Sequence, residues 1–183
     1  MRAAKKRLIV NKRLTVFDID ETLGVNVYGE EKVVEEELPG RSFDQGKLAR
    51  QPVYAQMLPV VHDALANKSG TVLFLTGRST HNYDTTRTWL QTAFYTVNPI
   101  LICRPLDIVS GRIGYWKANT IINQIRLSQY EEIVIYDDDD AWAVTLSESL
   151  LGLIKKEKKM EFQPPRIRFV VMKAGYILKE WLV

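Results

Sequence analysis

Two aspartates, Asp18 and Asp20 in the run Asp18-Ile19-Asp20-Glu21-Thr22-Leu23, are the first residues of this chain equipped for chemistry. They follow an apolar, β-prone run, Leu14-Thr15-Val16-Phe17. Along a strand, residues i and i+2 face the same way, so both carboxylates can reach one ligand. Two carboxylates that close repel each other unless a cation or a proton separates them. Mg²⁺ and a division of labour resolve the conflict. Asp18, ionised, is suited to attack phosphorus and form an aspartyl-phosphate. Asp20 is suited to protonate the departing oxygen, then to take a proton from the water that hydrolyses the intermediate. Thr22 is expected to hydrogen-bond Asp20 or the tight turn after the strand.

Three later fragments extend the kit in order. Thr76-Gly77-Arg78 follows the apolar run Thr71-Val72-Leu73-Phe74-Leu75. The Thr76 hydroxyl can donate to a phosphate oxygen, and Gly77 lets backbone amides approach that oxygen closely. Arg78 reads either as a fork on phosphate or as a salt bridge at the sheet edge. Lys117, after Tyr115-Trp116, is expected to open a helix, neutralise phosphate charge and hold Asp18 ionised. Asp137-Asp138-Asp139-Asp140 follows the strand-like run Ile133-Val134-Ile135-Tyr136. Four adjacent carboxylates carry a self-repulsion that a divalent cation relieves, and oxygen-only ligation suits Mg²⁺. Asp138 is the expected direct ligand, with Asp137 beside it; Asp139 and Asp140 are expected to cap the next helix.

Positioning such groups requires buried strands that end at one edge. Apolar runs alternating with helical patterns predict an α/β fold, a Rossmann-like parallel sheet flanked by helices. Strands are expected at residues 14–19, 71–75, 100–103, 133–136 and 167–172. Helices are expected at residues 54–67, from 79 or 80 through 94, at 117–127 and at 142–154, with 106–116 a loop. Residues 25–28 and 33–36 could pair as a hairpin, ended by the Pro39-Gly40 turn. Residues just past the carboxyl ends of buried strands sit where open α/β sheets bind ligands.

Composition limits the classes open to the chain. At 183 residues, 46% hydrophobic and 26% charged, it reads as one globular domain (14–183) with a substantial core. Apolar runs are too short to span a bilayer, so no membrane role is expected. One cysteine, Cys103, excludes an internal disulfide and fits a reducing compartment, with the cytoplasm the default and the thiol read as buried. Six basic and no acidic residues fall in residues 1–13, leaving 19 basic against 22 acidic elsewhere. That basic arm reads as a solvated tail or as a contact for nucleic acid phosphates.

In order and spacing these residues resemble the haloacid dehalogenase (HAD) superfamily of aspartate-nucleophile phosphatases, over about residues 14–140. Glu21 stands where many members have glycine. The form Asp-Ile-Asp-Glu-Thr-Leu is similar to that of RNA polymerase C-terminal-domain phosphatases and of HAD domains associated with RNA repair, to which polynucleotide 3′-phosphatases are related. The resemblance implies Mg²⁺ bound by Asp18, by the Asp20 backbone carbonyl and by Asp138. Members often carry a cap. Here the 52 residues 24–75 leave room for a flap or short insertion at 24–50, and the 38 residues 79–116 leave no room for a cap domain. An open site admits a polymer end or a protein side chain, whereas closed sites exclude water around small metabolites.

The expected substrate is therefore a phosphomonoester, on a nucleic acid 3′ end or a nucleotide. A phosphoserine or phosphothreonine protein is the alternative, and an idle binding domain is the third reading. Tyr28, Tyr83, Tyr115 and Trp116 are candidates for base stacking or for plain packing. His62 and His81 read as surface histidines, and Trp89, Trp142 and Trp181 as core anchors. The apolar end Trp181-Leu182-Val183 leaves both monomer and homodimer open.

Overall fold

Leu14, Val16 and Phe17 are almost wholly buried, so Arg13–Phe17 (β1) can only be a central strand covered on both faces. The computed structural model describes residues 13–25, 45–127, 130–156 and 164–183. Residues 1–12 of the expected basic arm and residues 26–44 of the expected flap, with the hairpin, the Pro39-Gly40 turn and Tyr28, lie outside the described residues.

After β1 come α1 (Gln45–Ala49), α2 (Met57–Ala66), β2 (Gly70–Ser79), α3 (Tyr83–Phe94) and β3 (Ile100–Arg104). They are followed by α4 (Ile113–Leu127), β4 (Glu132–Asp137), α5 (Ala141–Lys156), β5 (Arg166–Lys173) and β6 (Tyr176–Leu182). The six strands form one sheet in the order β3-β2-β1-β4-β5-β6. Every pairing from β3 to β5 is parallel, and β6 returns antiparallel along β5.

Alternation along the strands splits the core into two layers. Leu14, Val16, Leu73, Leu75, Ile133, Ile135 and Phe169 pack with Ile121, Ile125, Trp142 and Leu146 of α4 and α5. Phe17, Phe74, Val134 and Val170 pack with Met57, Val61, Trp89, Leu90 and Phe94 of α2 and α3. The chain leaves β1 to build β2 and β3 on one side, then crosses to build β4 and β5 on the other. The β1/β4 seam is therefore the topological switch point, where open α/β sheets form their crevice.

Four sequence expectations change. β1, expected to run through residue 19, ends at Phe17, so Asp18 and Asp20 stand past the strand and not on one of its faces. β2 continues through Thr76-Gly77-Arg78 to Ser79, because a bulge between Thr76 and Ser79 keeps it paired with β3. The helix expected from residue 117 starts at Ile113, after a short 3₁₀ turn at Ser110–Arg112, so Lys117 stands in its second turn. Trp181 is no core anchor: it lies on the edge strand β6, 37% exposed, with Lys179 Nζ 4.3 Å from its ring centroid. Trp89 and Trp142 are buried, and so is Cys103, whose thiol burial pushes up to about 11. His62 and His81 are exposed. Among the described residues no helix is long and apolar enough to cross a membrane.

Candidate active site

Pairing of β1 with β4 places Phe17 opposite Tyr136, and the Asp18 N–H donates to the Tyr136 carbonyl at 2.9 Å. The two strands thus deliver Asp18 and Asp137 side by side at their carboxyl ends. Both are buried, at 5% and 2% exposure. Lys117, equally buried, reaches between them from α4. Its Nζ lies 2.9 Å from Asp18 Oδ1 and 2.7 Å from Asp137 Oδ2. The reach depends on close packing of α4 on α5: a Cβ on Gly114 would fall 2.7 Å from Trp142 Cβ.

The electrostatics follow from burial. Burial works against the Lys117 ammonium, but Asp137 and Asp18 outweigh it and hold the proton well above lysine's ordinary range. Burial pushes Asp137 above the usual carboxylate range, with Lys117 opposing and Asp18 reinforcing the rise. Two buried carboxylates therefore share one cation. Asp138, exposed, adds a third: carboxylate oxygens of Asp18, Asp137 and Asp138 all lie within 4.8 Å of one another. An excess of negative charge on oxygen-only donors fits a hard divalent cation such as Mg²⁺. The Asp139 N–H is held by Asp137 Oδ1 and the Ala141 N–H by Asp139 Oδ1, so Asp139 serves the start of α5.

Asp20 faces a different partner set. Arg78 grips it as a fork, Nε to Oδ2 at 3.0 Å and Nη2 to Oδ1 at 2.8 Å, and Gln51 Nε2 donates to Oδ1 at 3.0 Å. Arg78 also donates to Thr86 Oγ1 and to Gln51 Oε1, and its guanidinium lies 5.7 Å from the Trp89 ring centroid. Of the two sequence readings of Arg78, the geometry is that of the salt bridge, although a buried one. Thr76 is fully buried and its Oγ1 accepts the Arg78 N–H at 3.2 Å. The expected bond of Thr22 to Asp20 or the turn is not made. Asp20 is turned to Arg78 and Gln51, and the buried Thr22 hydroxyl has no hydrogen-bond partner among the described residues.

The loop after β1 is a tight turn in which Leu23 and Gly24 N–H both donate to the Ile19 carbonyl. Glu21 sits in it at φ 61, a left-handed conformation that favours glycine. Its carboxylate accepts the Tyr54 hydroxyl at 3.1 Å, and burial together with Glu21 pushes that phenol up to about 12.

A cleft of about 550 Å³ opens over these groups, with Asp18, Asp20, Gly77, Arg78, Lys117 and Asp138 in its walls. Arg104, Ser110 and Tyr115 also line it, and Arg104 Nε donates to the Gly77 carbonyl at 2.8 Å. Of the stacking candidates, Tyr115 is 62% exposed at this rim. Sequence reasoning missed Arg104, whose one signal was a cation ending an apolar strand. It also missed Gln51, which carried no signal at all, lying far from every motif.

No protein-family model and no curated protein matches the sequence. Among solved structures, the chain is similar to the HAD domain of the effector protein Lem4 from Legionella pneumophila. That likeness has a TM-score of 0.57 and 11% identity, over 91% of this chain and 89% of the other. The same domain as an inactive mutant gives a TM-score of 0.57 and 10% identity, over 91% and 88%. At such identity the likeness is one of architecture: this chain has the haloacid dehalogenase-type α/β fold.

Proposed function

We propose that this protein is a Mg²⁺-dependent phosphomonoester hydrolase that works through an aspartyl-phosphate. One observation carries the reading: Asp18, Lys117, Asp137 and Asp138 converge at the carboxyl ends of β1 and β4, beside a cleft that Asp20 also lines. Asp18 and Asp138, with Asp137 beside them, would hold Mg²⁺, which when bound neutralises phosphate and carboxylate charge.

Asp18 attacks phosphorus. A bond forms between its carboxylate oxygen and phosphorus as the ester P–O bond breaks, and Asp20 gives its proton to the departing oxygen. Water then attacks the aspartyl-phosphate, its proton passing to Asp20, and the Asp18–phosphorus bond breaks to release phosphate. Lys117 spends two N–H groups on Asp18 and Asp137 and has a third for a phosphate oxygen. The Gly77 backbone lines the cleft and can approach phosphate closely. Arg78, clamped on Asp20, serves that carboxylate rather than the phosphate.

The substrate class we propose is a phosphate on a nucleic acid end. A cleft of about 550 Å³ has room for a polymer terminus, and six basic residues among the first 13 suit its backbone. The test is phosphate release with Mg²⁺ from a 3′-phosphorylated oligonucleotide, p-nitrophenyl phosphate and a phosphopeptide, with Asp18→Asn as control. Release from the oligonucleotide that vanishes in the variant supports the reading. Release from p-nitrophenyl phosphate alone keeps the chemistry and removes the nucleic acid, release from the phosphopeptide transfers the substrate class to proteins, and silence on all three overturns the enzyme.

A further inference from the structure

Gln51 lies outside every motif, yet it is 3% exposed and its side-chain amide meets Asp20, Arg78 and the Val25 carbonyl. Nε2 donates to Asp20 Oδ1 at 3.0 Å and to the Val25 carbonyl at 2.9 Å, while Oε1 accepts from Arg78. Its backbone carbonyl accepts Trp89 Nε1 at 2.8 Å, and Trp89 in turn lies against the Arg78 guanidinium. A closed ring of contacts, buried at Arg78, Trp89 and Gln51 and partly buried at Asp20, therefore runs Asp20, Arg78, Trp89, Gln51 and back. Gly24 makes room for it, since a Cβ there would fall 2.7 Å from Gln51 Cδ. Three hydrogen bonds from two buried side chains, Arg78 and Gln51, fix where this single carboxylate points.

We propose that Gln51 is a positioning residue for Asp20: it ties Oδ1 to the Val25 loop and keeps the carboxylate aimed at the departing oxygen. The inference rests on reading Asp20 as the group that protonates that oxygen. Arg78 fixes the plane of the carboxylate through two bonds from one side, and Gln51 supplies the bond that stops it sliding along that fork. The backbone bond to Trp89 survives any substitution at Gln51, so the fold keeps its anchor.

The test compares kcat/KM for 2,4-dinitrophenyl phosphate, whose leaving group departs unaided, with that for an alkyl phosphomonoester, whose alkoxide must be protonated. Gln51→Met removes both amide functions at similar length. Gln51→Glu keeps an acceptor for Arg78 and loses the donor to Asp20. Asp20→Asn is the benchmark, and thermal melts show that each variant is folded. Both Gln51 variants are expected to lose roughly 10–100-fold on the alkyl ester and under about 3-fold on the dinitrophenyl ester, a fraction of what general acid catalysis supplies. Equal losses on both esters, or wild-type selectivity in Gln51→Glu, overturn the inference while leaving the phosphatase intact. An Asp20→Asn variant without leaving-group selectivity overturns the acid role of Asp20 and the inference with it. A wild-type protein inactive on both esters overturns the phosphatase reading itself.

Discussion

Asp18 and Asp137 share one ammonium: Lys117 Nζ stands 2.9 Å from an oxygen of the first and 2.7 Å from an oxygen of the second. Buried ion pairs need near-complete charge compensation to offset desolvation. Among the described residues two anions face one cation here, with a third carboxylate, Asp138, within reach at the surface. Among the described residues the cluster therefore carries more negative than positive charge, an imbalance that a divalent cation would offset. Two consequences can be measured.

Asp18→Asn removes one of the two buried anions at nearly constant shape. Lys117 then pairs one-to-one with Asp137, and the rise in the Asp137 value caused by Asp18 disappears. In EDTA the variant is expected to be more stable than wild type by about 1 kcal/mol, or 2–4 °C in Tm. Its phosphate release should be lost entirely. A Tm below that of wild type in EDTA would show that Asp18 stabilises the site rather than straining it.

The response to Mg²⁺ should depend on pH. In the unfolded chain Asp137 titrates near 3.8; in the folded one burial raises it. Below the unfolded value both states keep the proton and nothing is lost. As pH rises past it, the unfolded chain releases the proton first, so stability falls until the folded carboxyl also ionises. Mg²⁺ on the same oxygens competes with that proton, so its stabilising effect should grow over this window. Melts with EDTA and with Mg²⁺ between about pH 5 and pH 8 are expected to diverge upward. Curves that stay parallel would remove the cluster as the metal site.

Glu21 tests the strained turn. At φ 61 a non-glycine residue costs roughly 1–2 kcal/mol, and the bond from Tyr54 returns about 1 kcal/mol of it. Glu21→Gly relieves the first and forfeits the second, so stability should stay within about 1 kcal/mol of wild type. Glu21→Val loses the bond and puts a β-branched side chain in the left-handed region, which should cost about 2 kcal/mol or more. Urea midpoints of the two variants decide it: a Gly variant as unstable as the Val variant would mean that the carboxylate, not the backbone, governs this turn.

The difference between what the sequence disclosed and what it withheld follows from locality. Runs such as Leu14-Thr15-Val16-Phe17 and Ile133-Val134-Ile135-Tyr136 declare buried strands in a few consecutive residues, so the sheet and the placement of Asp18 and Asp137 at the carboxyl ends of its strands could be read directly. Partners across the fold could not. Gln51 meets Asp20 over 31 positions and Arg78 meets it over 58, and no periodicity records such a contact. The bulge that carries β2 past Thr76 depends on its pairing with β3, and the edge strand β6, exposed along its whole length, lacks the apolar alternation that identifies a half-buried strand.

Gly114 links packing to the site, and its replacement separates activity from stability. Gly114→Ala sets a Cβ 2.7 Å from Trp142 Cβ and 3.6 Å from its Cα, so α4 must move off α5. Overpacking of this kind costs about 1–3 kcal/mol, while alanine in a helix returns up to about 1 kcal/mol, so the net loss in Tm should be a few degrees. Lys117 sits three residues further along the same helix, and displacement by about 1 Å from Asp18 and Asp137 can cost on the order of 100-fold in rate. The expected result is a folded protein with kcat/KM down by about 10–100-fold. Gly152→Ala, in α5 with open space around its Cβ, is the control and should gain about 1 kcal/mol without loss of activity. If Gly114→Ala instead loses stability heavily and keeps its kcat/KM, the α4–α5 contact serves the core alone and Lys117 is positioned by its carboxylates.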